Sequence, residues 1–354
     1  MTWAPMSPPV GVYSIKSKMY AKAWLAKAKS DRNYSQLVQA YKTILYKSDK
    51  KLRLYYADSM LVAARKTSDD ILIGSAYMTK ATVYYGRQEN SRALDNFILA
   101  DQYISKTDDT YSIYKVKFGI AQAKYYLGFY DEAISLFKEC IHYFKEENDR
   151  AYLNSLHSLS LCYNRLGKYD LCTATNQLGL KEGLRLENSE MTAYFIHSEG
   201  VNQFGKQNYK ESIKKLTNTL PIFIKDKDFA NETVTYFYLG KCLWQLNEQK
   251  KAITFFKKVD FIFDKHKYIR TDLRAGYELL IDYYKKKNDK ESQLIYINKL
   301  LHVDQVLNQN YQYLVKKVVK EYDTRKLLQA KQDIEDVMNF RTIIGFAIFF
   351  TKYW

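Results

Sequence analysis

The side chains that most often ligate metals or attack substrates are scarce in this 354-residue chain, which has five histidines and four cysteines. Cys140, Cys162, Cys172 and Cys242 are separated by 22, 10 and 70 residues, so no Cys-x-x-Cys pair and no zinc-like pairing with histidine arises. Such isolated cysteines are expected to be small core residues in helices. There is no glycine-rich phosphate loop, no His-Glu-x-x-His and no Gly-x-Ser-x-Gly. Glu146 and Glu147 are adjacent, and neighbours on a helix point apart, so they form no acid/base pair. The expectation is a protein without catalysis, metal or cofactor. Any chemistry must then be that of recognition.

The elements that could present a recognition surface follow from composition. Apolar residues make up 47%, charged residues 27% and aromatics 16%, which is enough to build a core. Only 4 prolines and 13 glycines interrupt the chain, against 33 tyrosines, so a turn-rich β-sandwich is disfavoured and an all-α fold is expected. The net charge of +16 is spread along the chain rather than gathered in a patch or arm. Strong nucleic-acid binders concentrate charge against adjacent phosphates, so direct nucleic-acid binding is not expected.

A long helical chain must be searched for repeats first. The segments YYLGFYDEAISLF from Tyr125, CYNRLGKYDLC from Cys162 and YLGKCLWQLNEQKKAITFFKKV from Tyr238 share one plan. Each has an apolar helix end, a short polar turn, and a second helix carrying a small residue near its start. Aligning that small position gives Ala93, Ala133, Cys172, Ser212, Ala252 and Gln293, with steps of 40, 39, 40, 40 and 41. A weaker copy begins near Tyr34 and places Arg53 at the equivalent point.

These copies resemble the tetratricopeptide repeat (TPR) family. The copy from Thr233 supplies Tyr236, Leu239, Gly240, Leu243, Ala252, Phe256 and Val259 at the positions the family fills with large, small and aromatic residues. The copy from Tyr114 supplies Ile120, Ala121, Gly128, Tyr130, Ala133, Phe137 and Cys140. The copy from Arg274 supplies Tyr277, Leu280, Tyr284, Leu294, Ile297 and Leu300. The period near 40 is longer than the family's 34, and the proline that closes its second helix is absent. Clusters at Lys106–Asp109, Lys145–Arg150 and Lys225–Asp228 are expected to break the helices instead. Longer repeats of this kind resemble the sensor arms of bacterial TPR-containing transcriptional regulators, where an array precedes a membrane helix and a helix-turn-helix module. The resemblance implies a right-handed α-solenoid of six or seven helical hairpins, with the first helix of each lining an inner groove.

Helical spacing along those first helices selects groove candidates: Lys115, Phe118, Gln122 and Tyr125; Asn154, His157, Leu161 and Asn164; Tyr194, His197, Val201 and Phe204; Val234, Phe237, Lys241 and Trp244. Amides and lysines can hold backbone carbonyls or carboxylates, and aromatics can anchor side chains, so the expected ligand is a peptide or protein segment. His157 and His197 recur at one groove position, but no carboxylate or cysteine completes a metal set, and paired hydrogen-bonding side chains are the expected reading.

Domain organisation is expected as an irregular leader over 1–19, the array over 20–300, a long charged helix over 301–341 and an apolar tail over 342–354. The helix carries Leu314, Val318, Tyr322, Leu327, Ala330, Ile334 and Val337 at helical spacing, and a homodimer could form through it. Thr342 to Phe350 is too short to span a bilayer, which takes about 20 residues. Three readings stay open for the tail: a truncated transmembrane helix, an interfacial membrane anchor, or a helix end packed on the array. The first places the protein at a membrane; the last makes it cytoplasmic. The function expected is a non-catalytic peptide- or protein-binding array, the sensory part of a bacterial regulator, with a soluble TPR adaptor as the alternative.

Overall fold

In the computed structural model, residues 15–307 are described, and all of their regular structure is helical. After α1 (Ile15–Ser30) come α2 (Tyr34–Lys47), α3 (Arg53–Arg65), α4 (Asp70–Gly86), α5 (Asn90–Ile104), α6 (Thr110–Tyr126) and α7 (Tyr130–Glu147). The array continues through α8 (Asp149–Arg165), α9 (Tyr169–Arg185), α10 (Ser189–Gly205), α11 (Tyr209–Lys225), α12 (Phe229–Gln245), α13 (Gln249–His266) and α14 (Ala275–Lys286). A further helix, α15, covers 290–307 within the described residues. The chain divides into two units, Met1–Asp304 and Gln305–Trp354. The expected homodimer helix from 308 onward and the apolar tail over 342–354 lie outside the described residues. Among those residues no helix is long and apolar enough to cross a membrane.

The forty-residue period is built into the turns. Every even helix from α2 to α12 opens on an Asn or Asp whose side chain accepts the backbone N–H three residues on: Asn33, Asp69, Asp109, Asn148, Asn188 and Asp228. Each satisfies one of the donors a helix start leaves unpaired. The acidic and basic clusters anticipated as helix breakers therefore act through their Asp or Asn, which starts the next helix. The turn inside each hairpin from α4–α5 to α14–α15 holds one left-handed residue, at Gln88, Gly128, Gly167, Gln207, Asn247 and Asn288. Two of these six are glycine, the residue for which this conformation is easiest.

Close packing rests on the small residues. Ala93, Ala133, Cys172, Ser212 and Ala252 are fully buried, where two helices of a hairpin approach. In the first repeat the corresponding residue is Ala57, not Arg53, because α2 and α3 form a shorter unit. Gly119 faces the ring of Phe97, and Gly240 that of Phe256; a Cβ would lie 2.4 Å and 2.6 Å from those rings. Near the array's end the pattern loosens: Leu294 is exposed, while Tyr296 and Val303 are the buried residues of α15. The four cysteines are buried free thiols, and burial pushes three of them up to about 12. Helix α1 begins at Ile15, inside the stretch expected to be irregular, and packs on α2.

Consecutive helices pack throughout the array. Successive even helices also touch one another, from α2–α4 to α12–α14, whereas no comparable contact joins successive odd helices among the described residues. Helices that converge on one side and splay on the other impose curvature, with the even helices inside. That inner face is the candidate surface.

Candidate functional site

Eleven of the sixteen groove candidates separate into two groups. Gln122, Tyr125, His157, His197 and Phe237 are buried. Lys115, Asn154, Asn164, Tyr194, Lys241 and Trp244 are partly open. Phe118 and Phe237 turn toward the second helix of their own hairpin, packing on Phe137 and Phe256. Sequence spacing put them in the groove, but their angular position on the helix faces the hairpin interior.

The polar residues have a structural role that spacing did not reveal. A seam of hydrogen bonds ties successive inner helices from α4 to α12. The Tyr85 hydroxyl donates to Gln122 Oε1 at 3.1 Å, and Gln122 Nε2 donates to Ser158 Oγ at 2.5 Å. Ser160 and Ser198 hydroxyls lie 3.2 Å apart, and Asn164 Nδ2 donates to Asn202 Oδ1 at 3.1 Å. Tyr194 donates to Asp228 Oδ2 at 3.0 Å, while Oδ1 of that carboxylate caps α12. Buried polar groups need such partners, because an unmade hydrogen bond costs about 1–3 kcal/mol.

On the inner helices two side chains escape this accounting. Both ring nitrogens of His157, and Nε2 of His197, are buried without a hydrogen-bond partner. The His157 ring stacks on Tyr194 at 5.6 Å, and His197 meets the Phe223 ring edge-on at 5.0 Å. Burial disfavours the imidazolium and pulls both groups down to about 3, so they are neutral at physiological pH. They do not form a metal site: no set of three or more His, Cys, Asp or Glu is placed to hold an ion among the described residues.

Positive charge lines the inner face beside these rings. Lys115 is pulled below the ordinary lysine range by burial and then by the charge of Lys42, whose Nζ donates to Ser75 Oγ at 3.3 Å. Lys241 sits 5.7 Å from the Phe204 ring centroid, and Trp244 packs 6.4 Å from Phe256. Sequence spacing did not reveal Lys42, Arg165 or the stretch 267–274. Arg165 is the last residue of α8, one step beyond the spacing used, and 267–274 departs from the repeat altogether.

No family model matches the chain. Response regulator aspartate phosphatase J of Bacillus subtilis is 23% identical over 171 residues, 48% of this chain. That match spans 44% of the relative, less than half its length. Among solved structures, a Rap protein complexed with competence and sporulation factor superposes with a TM-score of 0.54 at 13% identity, over 83% of this chain and 99% of that one. The Rap conjugation gene regulator of plasmid pLS20, in complex with the Phr* peptide, gives 0.53 at 11% identity, over 83% and 96%. A tetratricopeptide repeat protein from Parabacteroides merdae gives 0.52 at 14% identity, over 79% and 99%. At these identities the likeness is one of fold. The chain is a right-handed TPR-like α-solenoid.

Proposed function

We propose that this array is a non-catalytic receptor for a peptide, or for an extended segment of another protein, held along the inner face of the even helices. The observation that carries the reading is the row of partly open polar and aromatic side chains on four successive inner helices: Lys115, Asn154 with Asn164, Tyr194, and Lys241 with Trp244. An extended chain presents a carbonyl or N–H every few ångströms, and amides and ammonium groups at repeat spacing match that ladder. The unpartnered nitrogens of His157 and His197 lie in the same face and could accept or donate once a ligand reorders their neighbours. One fold neighbour was solved with the Phr* peptide bound and another with competence and sporulation factor, which supports the reading by analogy.

The receptor would serve a regulator's sensory half. A ligand that prefers one spacing of the inner helices shifts the array toward that curvature, and the C-terminal helix beyond α14 carries the change onward. The test uses a peptide array of all-random octamers probed with the labelled chain. Peptides that are retained by the wild type and lost with Asn154→Ala plus Lys241→Glu, at unchanged helicity, support the reading. Retention indifferent to both substitutions overturns it.

A further inference from the structure

One connection breaks the rule that the others obey. Elsewhere an Asn or Asp caps the next inner helix within five residues of the end of the preceding one, as Asp228 does between α11 and α12. After α13, Lys267 takes the expected left-handed conformation, but Tyr268 follows where the cap would stand. The chain then runs extended through Arg270, makes a 3-10 turn over Thr271–Arg274, and reaches α14 only at Ala275. Inner helices α10 and α12 start 40 residues apart, at 189 and 229; α12 and α14 start 46 apart, at 229 and 275. The additional residues are anchored by Tyr268, 8% exposed with its ring on Phe229, and by the fully buried Leu273.

What this segment carries is an acid held by two arginines. Asp272 Oδ2 accepts from Arg165 Nη2 at 2.9 Å, and Arg270 Nε donates to Oδ1 at 3.0 Å. The three side chains are 19, 23 and 20% exposed, in that order. Arg165 belongs to α8, so the contact passes α10 and α12 and joins residues 107 apart. The seam bonds Tyr85–Gln122, Asn164–Asn202 and Tyr194–Asp228 span 37, 38 and 34. Tyr125 of α6 stands 3.5 Å from Arg165 Nε. Burial works against the Asp272 carboxylate, but Arg270 and Arg165 outweigh it and hold its pKa well below the usual range. Two guanidiniums share one carboxylate, which leaves a positive charge unmatched within the cluster.

We propose that residues 267–274 are an intrachain latch across the concave face, and that Asp272 there occupies the place of a carboxylate of an acidic peptide ligand. Binding such a ligand exchanges its carboxylate for that of Asp272 on Arg165 and frees the segment. Guanidinium–carboxylate pairing is directional and planar, so the exchange conserves the contact geometry. The proposal rests on the inner face being the ligand surface and names the ligand's charge.

The experiment has two arms on the full chain. In the first, trypsin cleavage after Arg270 is followed in wild type, Asp272→Asn and Arg165→Gln. Cleavage at that bond at least tenfold faster in both variants, with other sites unchanged, is expected. Unchanged cleavage, or acceleration spread along the whole chain, would show a fixed brace and overturn the latch. In the second arm a fluorescent peptide YIRTDL, copying residues 268–273, is titrated into the same proteins. Asp272→Asn should bind it at least tenfold more tightly than wild type, and YIRTNL should bind at least tenfold more weakly. Equal affinity for the two peptides overturns the carboxylate assignment. The cleavage arm reads the latch whatever the face binds, so its failure is separate from failure of the octamer array.

Discussion

At the residue scale the inner face is governed by whether each polar atom finds a partner. Gln122, Asn164 and Tyr194 find theirs on the next inner helix, and so they hold the array together as well as lining it. Both ring nitrogens of His157 and Nε2 of His197 do not, and burial pulls the pKa of both rings down to about 3. An unfolded histidine titrates near 6.5, so between pH 6.5 and about 3 the unfolded state binds more protons, and stability falls as the pH is lowered through that window. The loss is about 1.4 kcal/mol per pH unit for each of the two rings in the steep part of that window. Urea midpoints at pH 7 and pH 5 check this. His157→Gln with His197→Gln should flatten the dependence, and an unchanged slope would show the charge change lies elsewhere. Glycines give a second test. Gly240→Ala puts a methyl into the Phe256 ring and should cost about 1–3 kcal/mol, whereas Gly86→Ala meets nothing within 4 Å and should be neutral or slightly stabilising.

At the element scale the caps set the period. Asp109 makes one bond, to the Ser112 N–H, and Asp109→Ala should lower stability by about 1 kcal/mol. Asp228 caps α12, bonds the Asn231 amide and accepts from Tyr194, so Asp228→Ala should cost clearly more in the same urea titration. Gln207 holds a left-handed conformation at φ 64°, where Gly128 and Gly167 stand in other repeats. Gln207→Gly should therefore stabilise the array by about 1 kcal/mol, and a loss of stability would mean that the glutamine side chain matters more than its backbone.

At the scale of the whole array, each hairpin leans chiefly on its neighbours, so stability is a sum of local terms rather than one cooperative core. Phe256→Ala opens a cavity under α12 and α13 and should cost about 3–5 kcal/mol. Amide hydrogen exchange should then speed up in α12–α14 while α4–α7 stay protected. Uniform acceleration along the array would instead point to coupling over its full length, for which the Arg165–Asp272 contact is the evident route.

The sequence by itself determined the helical class, the forty-residue period and the buried small residue at Ala93, Ala133, Cys172, Ser212 and Ala252, and its resemblance to TPR repeats implied which helices face inward. Periodicity is a local property, written in side-chain size and in the turns, and it survives in one dimension. Tertiary structure alone decided which groove candidates stay open and which become seam. The difference between Asn154, partly open, and His157, buried, is about five-sixths of a helical turn together with what the next helix brings to it. It also decided the Arg165–Asp272 contact. Two residues 107 apart meet because three hairpins curve, and no spacing rule reports a curvature that arises only when the hairpins stack.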